Sequence, residues 1–141
     1  MGDTGLLISM AFDEAGEGIQ ELYRKLALGK LEVNEGMIVE NIVAQMLKAA
    51  GHKLFFLSQS DNNNSCNRME IDFLIANRNI TNRHNISPIE VKSGERYTFS
   101  SLKKCIAKYG QYLSTPYLLH DKDLKEDNGV LFLPLYMAGL V

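Results

Sequence analysis

Met69-Glu70-Ile71-Asp72-Phe73-Leu74-Ile75 and Pro88-Ile89-Glu90-Val91-Lys92 read as two strands that carry Asp, then Glu-x-Lys, among apolar neighbours. Side chains in an extended segment alternate between faces, so Glu90 and Lys92 share one face and Ile89 and Val91 the other. Asp72 points away from Ile71 and Phe73 for the same reason. If the two segments pair as a hairpin across the polar loop from Asn77 to Asn85, three charged groups meet on one side of a buried sheet. Asp123-Leu124-Lys125 repeats the acid-x-Lys spelling inside the charged run from His120 to Asn128, where it carries no such meaning. The apolar and β-branched setting separates the two copies, because a charge among such neighbours is costly without a partner. The plainer alternative is a half-exposed strand whose Glu and Lys face water.

A chain of 141 residues fits one domain with a single core, here residues 1–141. Its 45% hydrophobic and 23% charged residues match a soluble globular protein. No apolar run approaches the length of a membrane helix, and Met1-Gly2-Asp3-Thr4-Gly5-Leu6 lacks both regions of a signal peptide. The expected location is the cytoplasm. Cys66 and Cys105 lack metal-type spacing, and His52, His84 and His120 are scattered singly, so neither zinc nor disulfide chemistry is expected. The net charge of −2 argues against a strongly basic nucleic-acid coat, although local basic patches remain compatible with it.

Ile19, Leu22 and Leu26 recur at helical spacing between Gly16 and Leu28, and Gly29 is suited to end that helix. A second helix is expected from an N-cap at Asn34 to about Ala50, with Val39, Val43, Met46, Leu47 and Ala50 facing the core. Lys53 to Gln59 then reads as a strand, followed by the turn-forming loop Ser60 to Asn67. Strands follow over Met69 to Ala76 and Ile86 to Lys92, with Pro88 expected at a strand end or bulge. A helix from Phe99 to Leu113 turns Leu102, Ile106, Tyr109 and Leu113 inward. Strands Pro116 to His120 and Gly129 to Tyr136, joined by a charged turn over Asp121 to Asn128, complete the chain.

Glu40 stands out on the second helix, because Gly36, Met37, Val43 and Ala44, its neighbours one turn away, cannot neutralise it. It either faces water at the edge of the stripe or leans over the strands that carry Asp72 and Glu90. Lys103, Lys104 and Lys108 form a basic ridge just after the Glu-x-Lys strand, suited either to solvation or to a phosphate backbone.

An acid on a helix, an acid on the second strand and Glu-x-Lys on the third resemble the PD-(D/E)XK nuclease superfamily. The resemblance implies an α/β, restriction endonuclease-like fold: a central mixed sheet of about five strands flanked by helices. By it, Glu40 matches the helix acid, Asp72 the metal-binding aspartate, and Glu90 and Lys92 the strand motif. Asp3-Thr4-Gly5-Leu6-Leu7, Gly36-x-x-x-Glu40-Asn41, Glu70-Ile71-Asp72-Phe73 and Ile89-Glu90-Val91-Lys92-Ser93-Gly94 are closer still to a domain of unknown function. That domain follows the ATPase module of many bacterial AAA-type proteins. The likeness covers nearly the whole chain and implies a domain excised from the C-terminus of a larger ATPase. No Gly-x-x-x-x-Gly-Lys-Ser/Thr loop is present, so this chain alone is not expected to hydrolyse ATP.

Two carboxylates about 4 Å apart repel by roughly 4 kcal/mol at an effective dielectric near 20, so Asp72 and Glu90 call for a cation. Mg2+ or Mn2+ is the expected cofactor, held by Asp72, Glu90, Glu40 and the Val91 carbonyl. Lys92 then orients a water or balances charge on the phosphate, and a DNA or RNA strand is cut. The alternative is a catalytically inactive module that binds nucleic acid or assembles the ATPase into oligomers. Expected partners are nucleic acid and the AAA-type ATPase module, with no membrane.

Overall fold

The computed structural model describes residues 35–60, 68–77 and 85–141. The Asp3–Leu7 signature, the helix over 16–28, the Asn34 cap and the turn run at 61–64 lie outside the described residues. Helix α1 spans Glu35–Ala49, where Val43 and Leu47 are fully buried and Val39 and Met46 half-buried. Each fully buried side chain of this size stabilises by about 1.5–3 kcal/mol, so the stripe fixes which face of α1 meets the sheet. Ala50, expected on that stripe, is exposed, because the helix has already ended and Gly51 adopts φ 91°.

Strands β1 (Phe55–Gln59), β2 (Met69–Ala76), β3 (Ile86–Val91), β4 (Tyr117–His120), β5 (Lys125–Asp127) and β6 (Val130–Pro134) form one mixed sheet of order β1-β2-β3-β4-β6-β5. β1, β2 and β3 are antiparallel neighbours, β3-β4 and β4-β6 run parallel, and β5 returns antiparallel on β6. The crossover from β3 to the parallel β4 is made by helix α2 (Ser100–Tyr109), as a parallel pair requires. Val43, Leu47, Ile75, Ile89, Val91 and Leu119 pack on the α1 face of the sheet. Met69, Ile71, Leu102, Cys105, Leu118 and Phe132 pack on the α2 face.

The sheet has six strands where about five were expected. The additional one, β5, lies in the run Asp121 to Asn128 that reads as a charged turn; all three of its residues are exposed. Asp127 pairs with Val130 across a two-residue loop, with Asn128 at φ 51° and Gly129 at φ 76°. Two positive φ angles and an Asn-Gly pair define the hairpin turn that matches the twist of its strands. Three boundaries also move. The strand expected from Lys53 begins at Phe55. The helix expected to reach Leu113 gives way at Gly110 to a 3-10 turn over Gly110–Tyr112. The last strand stops at Pro134, and Leu135–Leu140 forms a 3-10 helix against α1.

Pro88 lies inside β3, buried, rather than at a strand end or bulge. The Asn77 N–H donates to the Asn85 carbonyl at 2.8 Å, so Ile75/Ser87 and Phe73/Ile89 are the bonded pairs and Leu74/Pro88 is a non-bonded one. The missing N–H of Pro88 therefore faces β4, whose pairing begins only at Ile89↔Tyr117. No ladder bond is lost there.

Candidate active site

The site arises from a bulge. β1 pairs Leu57 with Ile71 but Phe55 with Leu74, so Asp72 and Phe73 together oppose the single residue Phe56. The extra residue inverts the alternation of β2: Met69 and Ile71 face α2, whereas Phe73 and Ile75 face α1. At the same point β2 leaves β3, and their pairing ends at Phe73↔Ile89. Val91 is next in line to bond β2, and its N–H donates instead to Oδ2 of Asp72 at 2.7 Å. A residue's N–H and C=O point to the same side of its strand, so the Val91 carbonyl is directed into this fork as well.

Glu90 is buried, and its direction follows from the alternation of β3. Ile89 and Val91 pack on the α1 side, so Glu90 turns to α2. There its Oε2 accepts the Leu102 N–H at 3.2 Å. Leu102 is in the first turn of α2, where N–H groups lack helical partners, and Phe99 at the cap position makes no side-chain bond. Glu90 thus caps a helix from a neighbouring strand. Its Oε1 accepts the Lys92 ammonium at 2.9 Å.

Lys92 follows β3 directly, and its N–H donates to the Leu119 carbonyl at 2.8 Å, which holds the residue against β4. Glu40, on α1, is half-buried. Glu90 and Lys92 meet as the alternation of β3 leads one to expect, in an ion pair at 2.9 Å, while Asp72 turns to the Val91 N–H and Glu40 stands on α1, the helix opposite the face that Glu90 takes. They are linked through the fork, where the sheet no longer separates the two layers.

Their proton affinities record that meeting. Burial raises the carboxyl pKa of Glu40, with the charge of Asp72 adding to it against the pull of Lys92. Burial likewise raises Asp72, partly offset by the Val91 N–H. Glu90 is raised by burial, against the hydrogen bond and charge of Lys92. Burial works to lower the Lys92 pKa, but its bond to Glu90 and the charges of Glu90, Asp72 and Glu40 outweigh it, and the net shift is upward. Three acids are gathered about one lysine, and each pays for ionisation in a partly dry setting.

Glu70 belongs to this neighbourhood and was missed: its charge raises both Glu40 and Asp72. Its place two residues before Asp72 was the available signal. The lysines expected as one ridge diverge. Lys104 donates to the Arg68 carbonyl at 3.1 Å and Lys108 to Oε1 of Gln59 at 2.9 Å, toward β1 and β2. Lys103 instead lies 4.5 Å from the centre of the Phe99 ring. Among the described residues, no group of three His, Cys, Asp or Glu side chains stands ready to hold a metal ion. The donors at the fork are nevertheless anionic oxygens, the chemistry that suits Mg2+ or Mn2+.

The architecture and site define a mixed α/β domain with a six-stranded sheet, flanked by helices, that carries an acid–lysine cluster where two strands part. The chain belongs to the family described as "Domain of unknown function (DUF4143)", whose model matches residues 35–137. No curated protein and no solved structure gives a match. Among the described residues, no helix is long and apolar enough to cross a membrane.

Proposed function

We propose that this chain is a metal-dependent nuclease-like domain of restriction endonuclease-like fold, which hydrolyses phosphodiester bonds of DNA or RNA as part of a bacterial AAA-type ATPase. The observation that carries this reading is the gathering of Asp72, Glu90 and Glu40 about Lys92 at the β2–β3 fork, each acid shifted toward protonation. A fold gains no stability from ionising three such acids, whereas a divalent ion relieves all of them. Asp72, Glu90, Glu40 and the Val91 carbonyl are the groups that would hold Mg2+ or Mn2+. Bound there, the ion would polarise a phosphate and acidify a water. Lys92, held at 2.9 Å from Glu90, would orient that water or balance charge growing on the phosphate oxygens.

One observation favours a second reading, an inactive module that binds nucleic acid or assembles the ATPase. Both oxygens of Glu90 are already engaged, by Lys92 and by the Leu102 N–H, as in a purely structural ion pair. The test is cleavage of labelled single-stranded, duplex and branched DNA and of RNA with Mg2+ or Mn2+, using wild type, Asp72→Ala and Lys92→Ala. Cutting that needs the metal and both side chains supports the nuclease. Folded protein that cuts nothing under either metal supports the module.

A further inference from the structure

Beyond the acid cluster, α2 borders a second feature with its own chemistry. Tyr97, His120, Phe132 and Phe99 form a connected chain of rings, with centroids 6.0 Å apart for Tyr97–His120, 5.7 Å for His120–Phe132 and 5.5 Å for Phe99–Phe132. Three lysines cap it: Lys103 at 4.5 Å over Phe99, Lys125 at 4.3 Å over Phe132 and Lys122 at 5.3 Å over Tyr97. His120 and Phe132 are buried, so it is half-buried Phe99 and Tyr97, with the lysines beside them, that this chain of rings brings to the surface, and a ring next to cations is what single-stranded nucleic acid uses to stack a base and hold its phosphates.

Beside these rings is a cleft of about 320 Å³ between α2 and the β5–β6 turn, floored by Phe99, Ile106 and Val130. Lys103 stands on one wall, Asp127 and Asn128 on the other. The volume is at the lower end of small-molecule sites, about 300–1,000 Å³, so it suits a single planar group and not a duplex. The charges set the orientation. Asp127 repels a phosphate but accepts a bond from an exocyclic amine, while the lysines at the rim attract phosphates. The cleft is also close to the proposed chemistry, because Phe99 stands three residues before Leu102, whose N–H is bonded to Glu90.

We propose that this cleft receives one unpaired base of a single-stranded nucleic acid whose flanking phosphates are held by Lys103 and Lys125. This deepens the nuclease reading and rests on it for the identity of the substrate class.

The test is fluorescence anisotropy of the full chain in EDTA, with a labelled single strand, deoxy and ribo, and a duplex of the same sequence. Ala107, an exposed residue lining the cleft, is changed to Phe, or to Leu as a milder filling, and Lys103→Gln/Lys125→Gln removes the rim charge. Filling the cleft is expected to weaken single-strand binding on the order of tenfold and leave duplex binding unchanged, as loss of one stacked base implies. The double lysine variant is expected to flatten the salt dependence by about 1.4 log units per log unit, at about 0.7 per phosphate. Unchanged single-strand binding by folded Ala107→Phe and Ala107→Leu overturns the proposal, as does a preference for duplex. Binding in EDTA needs no metal, so its failure is distinct from that of the nuclease reading, which shows as cleavage indifferent to Asp72→Ala.

Discussion

Glu90 makes two contacts that differ in kind: Lys92 supplies a full charge, Leu102 only a backbone N–H. A neutral amide keeps the second and gives up the first. Glu90→Gln is therefore expected to lose less stability than removal of the whole side chain, because its carbonyl can still accept the Leu102 N–H and the half-buried Lys92 ammonium keeps the charges of Asp72 and Glu40 near it. Glu90→Ala strands that N–H at the start of α2 and is expected to lose about 1–3 kcal/mol in urea denaturation. Equal losses in the two variants would show that the ion pair, not the cap, is what Glu90 contributes to the fold. Both variants are expected to lose cleavage. At this scale Asp72, Glu90 and Lys92 were legible in the sequence, because charge inside apolar strands is conspicuous. The turn of Glu90 toward α2 was not, since it depends on which helix covers which face.

Two elements set the frame around the site, and each has a measurable property. The β5–β6 turn needs Gly129 at φ 76°, where an added Cβ would meet nothing within 4 Å, so only backbone strain opposes a side chain. Gly129→Ala is expected to lower stability by about 1–2 kcal/mol, read as a fall in Tm; no change would mean that the turn relaxes at no cost. At the end of β4, His120 is buried with Nδ1 2.8 Å from the Tyr97 hydroxyl and Nε2 3.2 Å from the Asp123 carbonyl. The carbonyl can only accept, so Nε2 carries the proton and the tyrosine donates to Nδ1. Burial lowers this imidazole's pKa; the Asp123 carbonyl bond and Asp121 oppose that shift, and Lys125 and Lys122 reinforce it. A depressed pKa gives stability that is present above the ordinary value of about 6.5 and lost as pH falls toward the folded value. Wild type is expected to weaken below about pH 6.5 more steeply than His120→Gln, by thermal melts across that range; parallel curves would contradict it.

Elements were legible where periodicity was strong and local. The hairpin of β2 and β3 follows from apolar alternation, and its loop closes with the Asn77–Asn85 bond. β5 was read as a turn because Lys125, Glu126 and Asp127 have no apolar face, although Asn128-Gly129 held the hairpin signal. The bulge at Asp72–Phe73 was out of reach, because it exists only relative to the register of β1. Phe55 and Phe56, in the strand read over Lys53 to Gln59, are 54% and 80% exposed on an edge of the sheet, an exposure that the strand pattern alone does not assign.

For the whole molecule, the sheet brings an acid from α1, an acid from β2 and an acid–lysine pair from β3 to one fork while keeping α1 and α2 on opposite faces. That arrangement stores negative charge in a partly buried place, which a cation would discharge. The composition alone pointed the other way, since a net charge of −2 gives no general attraction for nucleic acid. The charge is unevenly placed all the same: acids gather at the fork and lysines lie over rings beside α2.

The most direct measurement is calorimetric titration of Mn2+ into the full chain near neutral pH, for wild type and Asp72→Asn. The account predicts saturable binding of the ion by wild type and its loss in the folded variant. Absence of binding by folded wild type, or equal binding by both proteins, would contradict a metal site at the β2–β3 fork.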